Sequence, residues 1–441
     1  MSGKRTGKSK SPSTPSTPRD EEVSLEEKSW YHGMRPRKEC EALLTELGDW
    51  LVRATDNDKE GHLSVVLSVH TEKGHRHLTL SKDANGRFTL QLISKKTAPS
   101  FATVAGLIEH YHKKGGIGAI KMGHAKNRPN WLIKHEQVNF DENKDRLGAG
   151  NYCVVYKGTY KVDGRTVPVA VKVCLPLAEQ RTPEQITNER LSMLREAELL
   201  SSYSHLNVIR LYGVAADSPP VKIVLEYCPA GSLDRHLQEH KSRIEPAERV
   251  LYMLDAADGM RYLHKQGCIH RDIASRNCLI GLTGWIKIAD FGLSKMIGRK
   301  LDKEEEETEA QLGLPLRWMA PECLQKKREF SKKSDVWSMG VMIWETFNEG
   351  AKPWPDWEAK KIATYIRKGK MPEFPSGTPA HLKDYVEKHV WSVNLDTRTD
   401  MEGVWKNLDE TRASVGNPKN SVIEREQRSR SPHQMSMWHS R

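Results

Sequence analysis

His270-Arg271-Asp272-Ile273-Ala274-Ser275-Arg276-Asn277 is the stretch on which the reading of this 441-residue chain turns. Asn277 stands five residues after Asp272, and Asp290-Phe291-Gly292 follows eighteen residues after it. Further on come Ala320-Pro321-Glu322 and Asp335-Val336-Trp337. Upstream lies Leu147-Gly148-Ala149-Gly150-Asn151-Tyr152-Cys153-Val154-Val155, and Lys172 ends Val169-Ala170-Val171-Lys172, 22 residues past Gly150. Each piece alone is weak. Glycine pairs mark many hairpin turns, and a lone Lys172 or Glu196 reads as an exposed charge. Six ordered motifs at these spacings are very hard to obtain by chance.

Taken together, residues 140–412 resemble the eukaryotic protein kinases. The resemblance implies that Lys172 reaches the α- and β-phosphates of ATP, held by Glu196. Glu196 is preferred to Glu198 because the family's acid precedes an alanine, here Ala197. Asp272 would accept the substrate hydroxyl proton, while Asn277 and Asp290 would hold Mg²⁺, with Mn²⁺ as the alternative metal. Gly148, Ala149 and Gly150 would cover the phosphates. Adenine would lie between Leu147, Val155 and Ala170 above and Leu279 below, bonded to the backbone of Glu226 and Cys228, with Leu225 as gatekeeper. Glu322 and Arg398 match the family's structural ion pair. One departure is Cys153, which replaces the third glycine of the loop and is expected to stiffen its tip.

Tyrosine specificity is implied by two features. The lysine that serine/threonine kinases carry two residues after the base is absent, and Arg276 precedes Asn277 instead. Pro315-Leu316-Arg317-Trp318 resembles the platform on which tyrosine kinases pack a phenol. Between Asp290 and Glu322 there is no tyrosine, only the acidic run from Asp302 to Glu309. That run is either a solvated acidic loop or a source of one carboxylate that meets Arg271 in place of a phosphate.

Ahead of this block, residues 29–135 read as strands flanked by two helical segments, Glu39 to Leu47 and Val104 to Tyr111. His62 to Val69 and Arg76 to Leu80 alternate like half-buried strands, with a hairpin turn at Asn85-Gly86. In Gly48-Asp49-Trp50-Leu51-Val52-Arg53, alternation puts Arg53 on the side of Leu51. A charge inside is costly unless paired. Its partner is either an acidic residue or a phosphate dianion, which a guanidinium grips by two oxygens. With Trp30-Tyr31-His32-Gly33, the block resembles the SH2 domains. That resemblance makes Arg53 the principal phosphotyrosine ligand, assisted by Arg37, Thr55 and His77, the last having His75 and Arg76 as close neighbours.

The fold expected is therefore α+β: an SH2 domain, a central antiparallel sheet flanked by two helices, then a bilobal kinase. The order resembles the Fes/Fer group of non-receptor tyrosine kinases, without the membrane-bending region of its larger members. A kinase-dead SH2 scaffold is the alternative, but Lys172, Asp272 and Asp290 are all present. The expected partners are tyrosine-phosphorylated proteins and tyrosine-bearing substrates, with the protein itself a monomer.

Composition bounds the rest. A mean hydropathy of −0.66 and the lack of a run near the roughly 20 apolar residues of a membrane span argue for a cytoplasmic protein, with recruitment to the inner face of the plasma membrane left open. Ser2 stands where myristoylation needs glycine. Seven cysteines, scattered and never spaced C-x-x-C, point to reduced thiols rather than zinc or disulfides. The net charge of +11 is spread over many segments and accompanies no nucleic-acid motif. Residues 1–28 and 413–441 are polar and lack the apolar content for a core, so both are expected to be disordered.

Overall fold

The computed structural model describes residues 24–56, 63–90, 98–149, 153–174, 183–297 and 314–423. The chain divides into two compact units after Arg128, and each is built of both helices and sheets.

In the first unit, helix α1 (Arg37–Leu43) precedes strands β1 (Trp50–Asp56), β2 (Leu63–Thr71), β3 (Gly74–Lys82) and β4 (Phe88–Leu90), paired antiparallel in that order. Helix α2 (Val104–Lys113) follows, then the small hairpin β5 (Gly116–Ile117) and β6 (Ile120–Lys121). Alternation along β1 sorts its side chains. Leu51 packs with Cys40 and Leu44 under α1, whereas Trp50 lies against Trp30 and the His112 ring of α2. Val104, Leu107, Ile108 and Tyr111 form the buried stripe of α2, and Thr103 caps it by accepting from Gly106 N at 3.0 Å. Asn85-Gly86 lies in the turn from β3 to β4, where Asp83 Oδ1 accepts from the Asn85 and Arg87 amides.

Helix α1 stops at Leu43, short of the expected Leu47, which is 50% exposed. The reason is a local turn: buried Asp49 accepts from Glu46 N at 2.8 Å, three residues back, and the chain passes through Gly48 at φ +88° into β1. Residues 24–28 are ordered too, with a 3₁₀ turn at Leu25–Glu27 and a Lys28–Glu109 ion pair at 2.8 Å.

The second unit opens with β7 (Leu132–Ile133) and β8 (Val138–Asn139), so residues 132–139 join its sheet. Strands β9 (Arg146–Ala149), β10 (Cys153–Val162), β11 (Arg165–Cys174), β12 (Leu211–Ala215) and β13 (Lys222–Glu226) complete it in the order β7-β12-β13-β11-β10-β8, with β9 against β10. The β10–β11 turn is Asp163-Gly164, both at positive φ, as a two-residue hairpin requires. Along β11, Val169, Val171 and Val173 bury one face, which leaves Ala170 and Lys172 on the other. Helix α3 (Pro183–Ser201) stands beside this sheet.

Helices α4 (Leu233–His240) and α5 (Pro246–Lys265) lead to short strands β14 (Cys268–Ile269), β15 (Cys278–Ile280), β16 (Ile286–Ile288) and β17 (Lys295–Met296). Helices α6 (Lys332–Phe347), α7 (Ala359–Arg367), α8 (Ala380–Tyr385) and α9 (Met401–Val415) finish the unit. Every residue of α6 from Ser334 to Phe347 is buried, so it is the axis of the large core. The tail expected to be disordered from residue 413 continues as ordered chain to Ile423. Its amides at Lys419 and Asn420 donate to Glu245, and those at Val422 and Ile423 donate to buried Glu248. Backbone hydrogen bonds to these two carboxylates and the packing of Val422 and Ile423 against the core together hold that segment.

Candidate functional site

The buried helix α6 carries two carboxylates, one near each end, and both hold the loop that begins at His270. Asp335 accepts the backbone N–H of His270 at 2.8 Å and of Arg271 at 2.9 Å, and its Oδ2 lies 3.0 Å from His264 Nε2. Glu345 accepts from Ser275 N at 3.0 Å, Ser275 Oγ at 2.9 Å and Trp318 Nε1 at 2.9 Å. The loop is thus held at both ends, with Asp272 between. Arg271 at φ +68° and Asp290 at φ +60° are left-handed without being glycine, a strain that the fold must impose.

Asp272 is bonded to the Arg276 guanidinium, and Asn277 Nδ2 donates to its Oδ2 at 2.7 Å and to its carbonyl at 2.8 Å. Burial raises its pKa above the ordinary carboxylate value, against the lowering effects of Arg276, His270 and Asn277. Arg276 also lies over the Trp318 ring at 4.3 Å.

Strands β15 and β16 bring the two candidate metal residues together. Cys278 pairs with Ile288, and Ala289 N donates to Asn277 O at 2.8 Å, so Asn277 sits beside the chain that delivers Asp290. Phe291 turns inward against the rings of His270 and Tyr203, while the Asp290 carboxylate stays exposed. From the sheet above, Lys172 Nζ lies 2.6 Å from Glu196 Oε2. Burial would lower the Lys172 pKa, but Glu196 and then Asp290 outweigh it, so the ammonium stays charged.

Gly148 and Ala149 pair with Val155 and Val154, Ala170 pairs with Leu225, and Leu279 is half-buried. Leu147 is 46% exposed. Glu226 turns its carboxylate to Lys287 at 3.0 Å, which leaves its position in the strand to the backbone. Cys153 stands opposite Cys174 across β10 and β11, on the face that carries Lys172. Gly150 lies outside the described residues, as does the acidic run from Asp302 to Glu309. Glu322 and Arg398 form a buried two-pronged pair at 2.6 and 3.1 Å.

In the first unit, Arg53, Thr55 and His77 share one face of the sheet, and Arg37 begins the helix that covers it. Arg53 is 7% exposed, and its Nε has no hydrogen-bond partner among the described residues. Burial lowers its pKa. His77 lies between Ser68 Oγ and Glu41 Oε1, at 2.9 Å from each, while Arg37 Nε donates to the same Glu41 oxygen at 2.8 Å. His75 turns instead to Leu44 O.

Residues 142–408 match the family model of protein tyrosine and serine/threonine kinases, and residues 30–111 match that of SH2 domains. Tyrosine-protein kinase Fer of Rattus norvegicus is 33% identical over 392 residues, 88% of this chain and 44% of Fer. Fer-related kinase 1 of Caenorhabditis elegans is 33% identical over 388 residues, 86% of this chain and 93% of the nematode protein. The chain belongs to the Fer-like SH2 tyrosine kinases. It spans less than half the length of Fer itself.

Two residues of this Fer-like kinase escaped the reading of its sequence. Glu345 was detectable as a second carboxylate in an otherwise buried apolar helix, since such groups stay buried only when bonded. Glu41 gave a fainter sign, standing one helical turn after Arg37.

Proposed function

We propose that this chain transfers the γ-phosphoryl group of ATP to tyrosine hydroxyls of proteins, and that its first unit binds phosphotyrosine. The Lys172–Glu196 pair at 2.6 Å, with Asp290 acting electrostatically on the same ammonium, carries the first part. Such an ammonium has lost freedom before nucleotide arrives, so it can orient α- and β-phosphates without reorganisation.

Asp272 accepts the phenol proton as the hydroxyl attacks in line. Its environment suits that work: burial moves its pKa toward the working range, while Asn277 and Arg276 fix its rotamer. Arg276, stacked on Trp318, adds a wall against which a phenol packs. The donor set also fits a hard cation. Asn277 spends its N–H on Asp272 and keeps its amide oxygen, and the Asp290 carboxylate is exposed. These two would hold Mg²⁺, or Mn²⁺, which when bound neutralises charge on the phosphates. Adenine lies against Leu147, Val155, Ala170 and Leu279, with the Glu226 and Cys228 backbone at its edge.

The phosphotyrosine reading rests on Arg53, a buried guanidinium without an acidic partner among the described residues. Recruitment to tyrosine-phosphorylated proteins would run through this pocket, and no helix among the described residues is long and apolar enough to cross a membrane. We infer a cytoplasmic, monomeric enzyme. Radiolabel transfer from ATP to a Glu/Tyr copolymer tests the catalytic reading: wild type should label it and Asp272→Asn should not. Equal labelling by both, or a wild type that leaves the copolymer unlabelled, would overturn it.

A further inference from the structure

Glu41 sits among the groups that face Arg53. One oxygen of its carboxylate, Oε1, takes the Arg37 Nε–H at 2.8 Å and lies 2.9 Å from His77 Nε2. The other ring nitrogen of His77 is engaged by the hydroxyl of fully buried Ser68. Both nitrogens of His77 are therefore in use, and Arg37 has one donor committed, before any ligand arrives.

The carboxylate is an anion here. Burial alone would raise its pKa, but the bonds from Arg37 and His77 bring it below the ordinary value. Burial also lowers the pKa of His77, which makes it neutral at physiological pH. Among these four groups the charges are then +1 at Arg53, +1 at Arg37 and −1 at Glu41. An entering phosphate dianion meets a net charge of +1 where the two arginines alone would offer +2. To reach His77 at all, it must displace Glu41.

We propose that Glu41 is a built-in competitor for phosphate: it occupies Arg37 and His77 in the unliganded pocket and thereby weakens the hold on phosphotyrosine. This rests on the phosphotyrosine reading of the pocket. A ligand that displaces Glu41 leaves this carboxylate pushed toward water, with repulsion from the dianion in place of two hydrogen bonds. Binding is accordingly weaker and release faster than Arg53, Arg37 and His77 would give by themselves. Such a pocket samples phosphorylated tails rather than capturing them.

Removing the charge in place is the test. Titration of the full chain with phenyl phosphate, followed by calorimetry and NMR, compares wild type, Glu41→Gln, Glu41→Ala and Arg53→Lys. Both Glu41 variants should bind about tenfold tighter, about 1.4 kcal/mol, and release phenyl phosphate more slowly. The gain should be smaller for phenyl sulfate, which carries one charge. Phenyl phosphate binding that weakens or stays unchanged in both Glu41 variants, while Arg53→Lys still loses it, would make Glu41 a brace and overturn this proposal alone. Binding that ignores Arg53→Lys would overturn the phosphotyrosine reading, and this proposal with it.

Discussion

Trp318 Nε1 donates a hydrogen bond to Glu345 Oε2 at 2.9 Å. The contact ties the platform before Ala320 to the same carboxylate that holds Ser275 of the catalytic loop. Three donors thus converge on one buried side chain. Glutamine in its place has one acceptor oxygen and an NH₂ group that cannot accept. Glu345→Gln should leave at least one donor unmet, at about 1–3 kcal/mol. Because those donors set the position of Asp272 and of the phenol platform, kcat should fall while KM for ATP changes little. Steady-state kinetics with separate ATP and peptide titrations check this.

Glu345 also makes stability depend on pH in an unusual direction. Burial raises its pKa from 4.5 to about 7, against the lowering effects of Trp318 and Ser275. Between those values the folded chain binds a proton that the unfolded chain has released, so this group's contribution to stability is lost as pH rises. It is fully present below pH 4.5, falls through the interval and is flat above about 7. Relative to Glu345→Gln, urea melts of the wild type should lose up to about 3 kcal/mol across that window. A constant difference between the two proteins would remove the assignment.

Lys172→Met and Asp290→Asn should each abolish phosphoryl transfer while leaving one cooperative unfolding transition, because the proposed function assigns both groups to phosphate and metal rather than to the core. Asp272→Asn should cost at least about 10²-fold in kcat. The acid limb of kcat against pH reports Asp272, whose pKa already lies above the ordinary carboxylate value through burial. Arg276 opposes that rise, so Arg276→Leu should move the limb to higher pH. A limb that stays in place would take Asp272 out of its role as base.

How much of this was legible depended on whether chemistry or packing set the position. Asp272, Asn277 and Asp290 were singled out by resemblance to the kinase motifs, and a short loop and a two-strand hairpin are what keep those motifs at fixed offsets. For Arg53, period-two alternation showed a charge on the interior side and left an acidic residue or a phosphate as its partner, and the SH2 resemblance chose the phosphate. Glu345 acts by accepting from Ser275 and Trp318, residues 70 and 27 positions away. No local pattern encodes such a meeting. The end of α1 at Leu43 was missed for a different reason: the Asp49–Glu46 bond that makes the turn is local, but the same carboxylate is also held by distant Lys126 at 2.8 Å. The ordered chain at 419–423 was misjudged by composition, because Glu245 and Glu248 at the start of α5 hold its backbone and only two apolar side chains, Val422 and Ile423, are needed to pack it on the core.

Arg53 sets stability against binding. A buried guanidinium with an unmet Nε–H costs the free protein stability. Arg53→Met should therefore raise the melting temperature of the first unit or leave it unchanged, while phosphopeptide binding is lost. Arg53→Lys keeps the charge but loses the two-pronged grip, and should weaken binding about 10²-fold, the worth of about one to two charged hydrogen bonds. Calorimetry and thermal melts on the same samples separate the two effects. A large drop in melting temperature with Arg53→Met would mean that the arginine is a structural member.

Arg398 shows the opposite economy. Its guanidinium is fully buried and every side of it is met: Glu322 at 2.6 and 3.1 Å, Lys333 O at 2.9 Å, Ser392 O at 2.9 Å and the Trp337 ring at 5.0 Å. Glu322 lies at the close of the segment that carries Trp318 and Ala320, so the pair pins that segment to the chain before α9. Removing one partner strands the other in a medium that cannot solvate it. Glu322→Gln or Arg398→Met alone should cost about 3–5 kcal/mol, visible as a lower urea midpoint with unchanged slope. Glu322→Leu combined with Arg398→Met removes both charges together and should recover much of that loss. Stability would return in the double variant, but the segment would have lost a directional tie. Its kcat on a peptide should therefore stay below wild type even where its urea midpoint does not. Additive losses in the double variant would mean that the two side chains act separately, and full activity would free the segment from dependence on the pair.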